Sequence, residues 1–156
     1  MSDPHFRPAK SADTDRLIEM MRGLWIHDAV PFNEAASRRG LDVIFRRDAS
    51  PPGRIWIIEH DAAPVGYLVL TFAFSLAFGG WHAFVDELYI RDGFRSRGWG
   101  SQALDLAVAT CRELGMSALL LEADLRNDRA TALYRRRGFH EHHRRLMRLD
   151  VVREPT

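Results

Sequence analysis

The stretch Arg95-Ser96-Arg97-Gly98-Trp99-Gly100 sets two guanidinium groups beside two glycines. An apolar run, Ala83 to Ile90, precedes it, and an amphipathic one, Ser101 to Leu114, follows. That order reads as strand, glycine-rich turn, helix. A helix N-terminus offers backbone N–H groups that have no acceptor inside the helix, and its dipole favours negative charge there. Gly98 and Gly100 have no side chain, so a ligand can approach the backbone closely. The chemistry that fits is capture of a phosphate or pyrophosphate. The Walker ending Gly-Lys-Ser/Thr is absent, and the turn lacks the three spaced glycines of a dinucleotide fingerprint. Standing alone, the same residues also suit an ordinary tight connection between strand and helix.

A second stretch lies downstream, Asn127-Asp128-Arg129-Ala130-Thr131-Ala132-Leu133-Tyr134-Arg135-Arg136-Arg137-Gly138-Phe139. Taken together, the two stretches resemble the GCN5-related N-acetyltransferase superfamily in order, spacing and flanking elements. In that family Arg/Gln-x-x-Gly-x-Gly/Ala holds the pyrophosphate of acetyl-CoA, and Asn-x-x-Ala-x-x-Leu-Tyr-x-x-x-Gly-Phe carries a general acid. The resemblance implies that Arg95, Ser96, Arg97, Gly98, Trp99, Gly100 and Ser101 bind the cofactor's phosphates. It further implies that Leu88, Tyr89 and Ile90 bind the pantetheine arm through their backbone. Asn127 and Tyr134 join the cofactor set, with Tyr134 as the acid. Asp92 stands where many relatives have proline, a departure that does not touch the phosphate amides.

Acetyl transfer from a thioester to an amine has three requirements. The thioester must be held, the amine must be neutral when it attacks, and the leaving thiolate needs a proton. A tyrosine has a pKa near 10 and an alkyl thiol about 8.5, so Tyr134 can protonate the thiolate without a large shift. An alkylamine at neutral pH is about one part in a thousand deprotonated, so a base is useful. Asp86 and Glu87 both lie on the strand before the turn. Neighbouring strand residues face opposite sides, so one of them at most points into a given cleft, and a bulge would change which. Counting back from the turn, Asp86 resembles the base of the histone- and polyamine-acetylating branches. Glu87 resembles the acidic residue of the Glu/Asp-Leu-Tyr-Val pattern of small-molecule members. Both stay open, with water as the third option.

The elements that must position these groups are legible along the chain. Phe6 to Ala9 reads as a first strand. Ser11 to Asp15 supplies cap chemistry for a helix with Leu17, Ile18, Met21, Leu24 and Trp25 at helical spacing. A second helix is expected over Asn33 to Arg46. Strands are expected over Arg54 to Glu59, Val65 to Phe74 and His82 to Ile90. Another is expected over Ser117 to Ala123, whose Leu119-Leu120-Leu121 suits a central strand. The helix Asn127 to Arg137 and a last strand, His143 to Val151, complete the pattern. The expectation is one α/β domain over residues 1–156. It has a central, mostly antiparallel mixed sheet with helices on both faces, and the family fold implies six to seven strands.

Composition sets bounds. The 156 residues carry a net charge of +1, which gives no global pull toward nucleic acid or an anionic membrane. With one cysteine, Cys111, no internal disulfide is available. No apolar leader opens the chain, and the run Val65 to Phe78 is too short to span a bilayer. A cytoplasmic protein is expected, without membrane or nucleic-acid partners. The mechanism needs no metal, and His140, His142 and His143 are not read as a metal site. Arg135 to Arg137 read as a charged helix surface. Trp25, Phe32 and Glu34, with Phe72, Phe74, Phe78 and Trp81, combine aromatic and acidic character that suits a cationic amine, and most of these aromatics suit a core equally well. The reading is an acetyl-CoA-dependent N-acetyltransferase for a small-molecule primary amine. The alternatives are an enzyme for protein N-termini or lysines, and a non-catalytic acetyl-CoA-binding module. Homodimer formation through the last strand is an open option.

Overall fold

Apolar side chains occur at nearly every position from 55 to 58 and from 65 to 70, so these strands need cover on both faces. A computed structural model, which describes residues 3–46, 48–143 and 145–151, has a sheet of that kind. Its contacts divide the chain into two compact units, Met1–Ala123 and Asp124–Thr156.

The first unit holds β1 (His5–Pro8), α1 (Thr14–His27), α2 (Glu34–Phe45), β2 (Gly53–His60), β3 (Ala63–Ser75), β4 (Gly80–Ile90), α3 (Trp99–Glu113) and β5 (Leu119–Leu121). The strands lie in the order β1-β2-β3-β4-β5. The first three pairings are antiparallel and β4–β5 is parallel. On one face Ile55, Ile57, Tyr67 and Val69 pack with Leu17, Ile18, Met20 and Met21 of α1 and Leu41 of α2. The alternate residues of β2 point the other way, toward α3. Arg54 approaches Glu113 near the end of α3 at 3.7 Å, and the His60 ring lies 5.0 Å from that of Trp99 at its start. Two glycines let strands approach. An added Cβ would lie 2.3 Å from the Leu70 carbonyl oxygen at Gly53, and 2.3 Å from that of Tyr89 at Gly66.

The second unit holds α4 (Asp128–Arg136). Helices α2 and α4 each start one residue inside the expected range, because Asn33 and Asn127 are N-caps that accept from Ala36 N and Ala130 N.

Three expectations need correction. The described residues form five strands, and the predicted six to seven are not reached. β5 is three residues long, half-buried and at the edge of the sheet, so the Leu119-Leu121 run does not mark a centre. In the last segment His143 is a bend and residues 145–151 have no regular structure, while Arg144 lies outside the described residues. The second unit has no strand among its described residues, so this segment finds no ladder partner within it, and Leu146, Met147, Leu149 and Val151 are exposed.

The stretch Ser11 to Asp15 supplies cap chemistry, and Asp13 takes part in a capping box with Lys10 around the 3-10 turn Ser11–Asp13. Asp13 makes no side-chain cap bond to α1. Its carboxylate instead accepts the Lys10 N–H at 2.9 Å and both terminal nitrogens of Arg7 at 2.8 Å. Arg7 Nε also donates to Glu59 at 2.7 Å, so β1, β2 and the start of α1 are tied by one guanidinium. The Arg7 bond, helped by the Lys10 amide, holds the Asp13 carboxyl at about 2, below its ordinary 3.8. A depressed carboxyl stabilises the fold above its unfolded value, and that stability is lost as pH falls toward the folded value. Wild-type protein is expected to lose about 2 kcal/mol through this group between pH 4 and pH 2. Asp13→Asn removes that dependence. It also costs about 3 kcal/mol at neutral pH, because Arg7 loses its bidentate partner. Urea unfolding across this pH range measures both effects.

Candidate active site

The expected glycine-containing turn forms between β4 and α3. Asp92–Phe94 make one 3-10 turn, Ser96 and Gly98 take left-handed φ values of 65° and 80°, and α3 begins at Trp99. Gly98 is the N-cap, so no side chain caps the helix, and its first turn carries no acidic residue. An added Cβ at Gly98 would meet nothing within 4 Å, so the ground in front of the turn is open. Trp99 is buried and stacks on Phe94 with centroids 5.8 Å apart, which ties the turn to the fold. The Arg97 guanidinium lies over both rings, at 5.1 Å from Phe94 and 5.3 Å from Trp99, and donates to the Gly93 carbonyl. Arg95 folds back along the strand end. It pairs with Asp92 at 2.6 Å, donates from Nε to Ile90 O at 2.8 Å and lies over the Tyr89 ring. Backbone amides, a helix dipole and two fixed cations thus share one turn, a set that suits a pyrophosphate. Ser101 lies within the first turn of the same helix.

The strand leading to the turn has a free edge. β5 pairs with Ala83, Phe84 and Val85 and goes no further. From Leu88 to Ile90, β4 is paired on its β3 side with Leu68, Tyr67 and Gly66, and among the described residues no strand flanks its other side. Apart from the Ile90 carbonyl, which accepts from Arg95, backbone groups on that side are available to an extended amide-containing chain.

The carboxylates are separated by a bulge. Val69 pairs with Glu87 and Leu70 with Val85, so Asp86 is the extra residue on β4. Glu87 therefore shares a face with Val69, Tyr67 and Tyr89, the face covered by α1 and α2. It accepts the Tyr67 hydroxyl at 2.8 Å and the Trp25 side chain. Burial pushes its carboxyl up, against those two donors, and the charges of Asp86 and Asp28 add to the rise. Asp86 is exposed at its surface, yet the protein mass around it also holds its carboxyl above the usual range by desolvation. Among the described residues neither Asp86 nor Glu87 has a cationic partner.

Other candidates are placed differently. Trp25 and Phe32 pack together with centroids 6.0 Å apart. Glu34 is taken up by Arg22 and Arg38. Phe74 and Trp81 meet edge to face, both more than half exposed, so they are not core. Cys111 is buried in α3. Among the described residues no three His, Cys, Asp or Glu side chains gather as a metal group. No helix there is long and apolar enough to cross a membrane.

Tyr67 and Asp28 were missed by sequence reasoning. The alternation Val65, Tyr67, Val69 marks Tyr67 as inward-facing, but its partner depends on the bulge in β4, which no local pattern announces.

In the second unit, Tyr134 is half-buried in α4 and its ring meets Phe139 edge to face at 6.0 Å. Gly138 makes this contact feasible. Its φ of 89° reverses the chain after the helix, and the Phe139 N–H donates to Tyr134 O. The Asn127 Oδ1 is engaged in capping α4.

Comparisons with known proteins bear on the family and the fold. The model of the acetyltransferase (GNAT) family matches residues 18–139. No curated protein matches the chain. Among solved structures, an integron cassette protein from the mobile metagenome of Cole Harbour Salt Marsh is 31% identical with a TM-score of 0.81, over 96% of this chain and 91% of that one. An aminoglycoside N-acetyltransferase in complex with CoA is 14% identical with a TM-score of 0.78, over 97% of both chains. A ribosomal-protein-alanine N-acetyltransferase from Brucella melitensis biovar Abortus 2308 is 14% identical with a TM-score of 0.76, over 95% of this chain and 100% of that one.

Proposed function

Because the chain belongs to the acetyltransferase (GNAT) family and is an acetyl-CoA-dependent N-acetyltransferase, we propose that its acceptor is the primary amine of a small cationic molecule. The observation that carries the choice of acceptor is the pair Asp86 and Glu87. These are adjacent carboxylates that no cation neutralises among the described residues, and aromatic Trp25 and Tyr67 contact one of them. Partly desolvated carboxylates without a cationic partner, beside aromatic rings, favour an ammonium group.

The roles follow from the chemistry. The amides of the Arg97–Ser101 turn, with Arg95 and Arg97, hold the pyrophosphate, and the Leu88–Ile90 edge holds the pantetheine arm. Glu87 receives the acceptor's ammonium. Asp86, the bulge residue open to solvent, takes its proton through an intervening water. The neutral nitrogen attacks the thioester carbonyl, the carbon–sulfur bond breaks, and Tyr134 gives its phenolic proton to the departing thiolate. The nitrogen sheds its second proton to solvent. Asn127 contributes by capping the helix that carries Tyr134.

Both carboxyls are pushed up by desolvation, so each must be ionised through a pH range above that of a free carboxylate. The kcat/KM for the amine is therefore expected to rise with pH along an acidic limb displaced toward neutrality. Asp86→Asn should lower kcat/KM about a hundredfold and flatten the part of the limb that Asp86 carries. A pH–rate profile with the best acceptor decides. An unaltered limb in Asp86→Asn removes Asp86 as the base.

The experiment that tests the function is release of coenzyme A thiol from acetyl-CoA across polyamines, amino acids, aminoglycosides and N-terminal peptides. Turnover on one small-amine class supports the reading. Turnover confined to peptides replaces it with protein acetylation. No acceptor-dependent release, with acetyl-CoA bound in the same samples, favours a binding module. Sedimentation of the same samples tests for a homodimer.

A further inference from the structure

Tyr67 and Tyr89 face each other across the β3–β4 ladder, on the same side of the sheet, with ring centroids 6.0 Å apart. Their hydroxyls are used differently. The Tyr89 hydroxyl is pressed against α1, where an added Cβ on Gly23 would lie 2.6 Å from it. The Tyr67 hydroxyl, in a residue with 0% exposure, donates to Glu87 Oε2 at 2.8 Å. A buried phenol needs an acceptor, and backbone carbonyls are the common choice. Here the acceptor is a carboxylate with no cation to pair with among the described residues.

The arrangement selects one state of Glu87. The Trp25 indole N–H can only donate, and Tyr67 donates as well. Two donors suit an ionised carboxylate, which only accepts. Against them stand burial, Asp86 on the same strand and Asp28 just beyond α1. Tyr67 is itself held protonated, first by burial and then by the Glu87 charge, with smaller contributions from Tyr89 and Asp28. It therefore remains a donor throughout the working pH range.

We propose that Tyr67 is a positioning residue for acetyl transfer: its hydroxyl fixes the Glu87 carboxylate in place and keeps it ionised to receive the acceptor's ammonium. The proposal rests on the role given to Glu87 above.

Tyr67→Phe keeps the ring and deletes the donor. A hydrogen bond to a charged group commonly shifts its equilibrium by about tenfold, one unit of pH. The acidic limb of kcat/KM for the amine should move up by about one unit. At the acidic end activity falls about tenfold, at the basic plateau it stays within about twofold, and acetyl-CoA affinity holds. In a Glu87→Gln background, which has no charge to hold, Tyr67→Phe should leave the limb where Glu87→Gln alone puts it. A measurement without a variant guards against a fold too weak to assay. The Tyr67 hydroxyl proton, followed by NMR, should titrate with the midpoint of the acidic limb. A Tyr67→Phe limb that stays in place overturns the proposal, as does a hydroxyl resonance that does not respond to pH. If no amine supports turnover, the functional reading fails by itself, and the NMR titration still decides the Tyr67–Glu87 linkage.

Discussion

Gly98→Val is expected to weaken acetyl-CoA binding by at least about a hundredfold, while the protein stays folded. Gly98 sits at φ 80°, in a region that costs a side-chain-bearing residue about 1–2 kcal/mol and a β-branched one more. The same residue precedes the first amides of α3, which have no acceptor inside the helix. An added Cβ meets nothing within 4 Å beyond its chain neighbours. It occupies the open ground in front of those amides, where a pyrophosphate has to approach. Strain that is relieved by flipping the turn would scatter the amides instead. Either route removes several charge-assisted hydrogen bonds, each typically worth about 1.5–3 kcal/mol. Gly115 supplies the control. It has φ 66°, equally open surroundings and a place at the far end of the same helix. Gly115→Val should carry a similar backbone cost in thermal unfolding and leave acetyl-CoA affinity unchanged. Calorimetric titration of both variants separates strain from site. Retained affinity in Gly98→Val sinks the phosphate assignment of the turn.

The contrast between those glycines explains why this part of the molecule was readable in the sequence. The strand, the turn and α3 are each specified within a few residues, by alternation, by glycine and by helical spacing. Asn127 and Gly138 mark the two ends of α4 in the same local way. Asp86 and Glu87 were legible as chemistry but not as geometry. Which one faces α1 follows from a bulge, and the bulge is a property of how β4 registers on β3, nearly twenty residues away in sequence. Tyr67 stayed hidden for the same reason, because its partner is fixed only after the strands pair. Asp13 belongs to the legible cap stretch and is an ion-pair centre as well, which stayed hidden because Arg7 reaches it from a separate strand. The last strand failed in a different way. Its apolar residues gave the right pattern, but a strand also needs a neighbour to bond with, and pattern alone does not supply one.

Tyr134→Phe carries the second large effect, and it tests catalysis apart from binding. A tyrosine near pKa 10 can protonate an alkyl thiolate, whose acid has a pKa of about 8.5, so the transfer is only mildly uphill from the acid's side. A well-placed acid of this kind is worth about 10²–10⁴ in rate. The substitution deletes one oxygen and retains the ring that meets Phe139 at 6.0 Å. The Asn127 cap and the Gly138 reversal do not involve the hydroxyl. Helix α4 should therefore persist, and the melting temperature should change little. Turnover is expected to fall about a hundredfold, with acetyl-CoA affinity within about twofold of wild type. That split matters, because an interaction made only in the transition state lowers kcat and leaves ground-state binding alone. Rapid-quench measurement of a single turnover places the loss in the chemical step. Equal losses in affinity and turnover would make Tyr134 a cofactor-binding residue. Unchanged turnover would assign thiolate protonation to water and leave the conservation of the ring's packing as the role of this side chain.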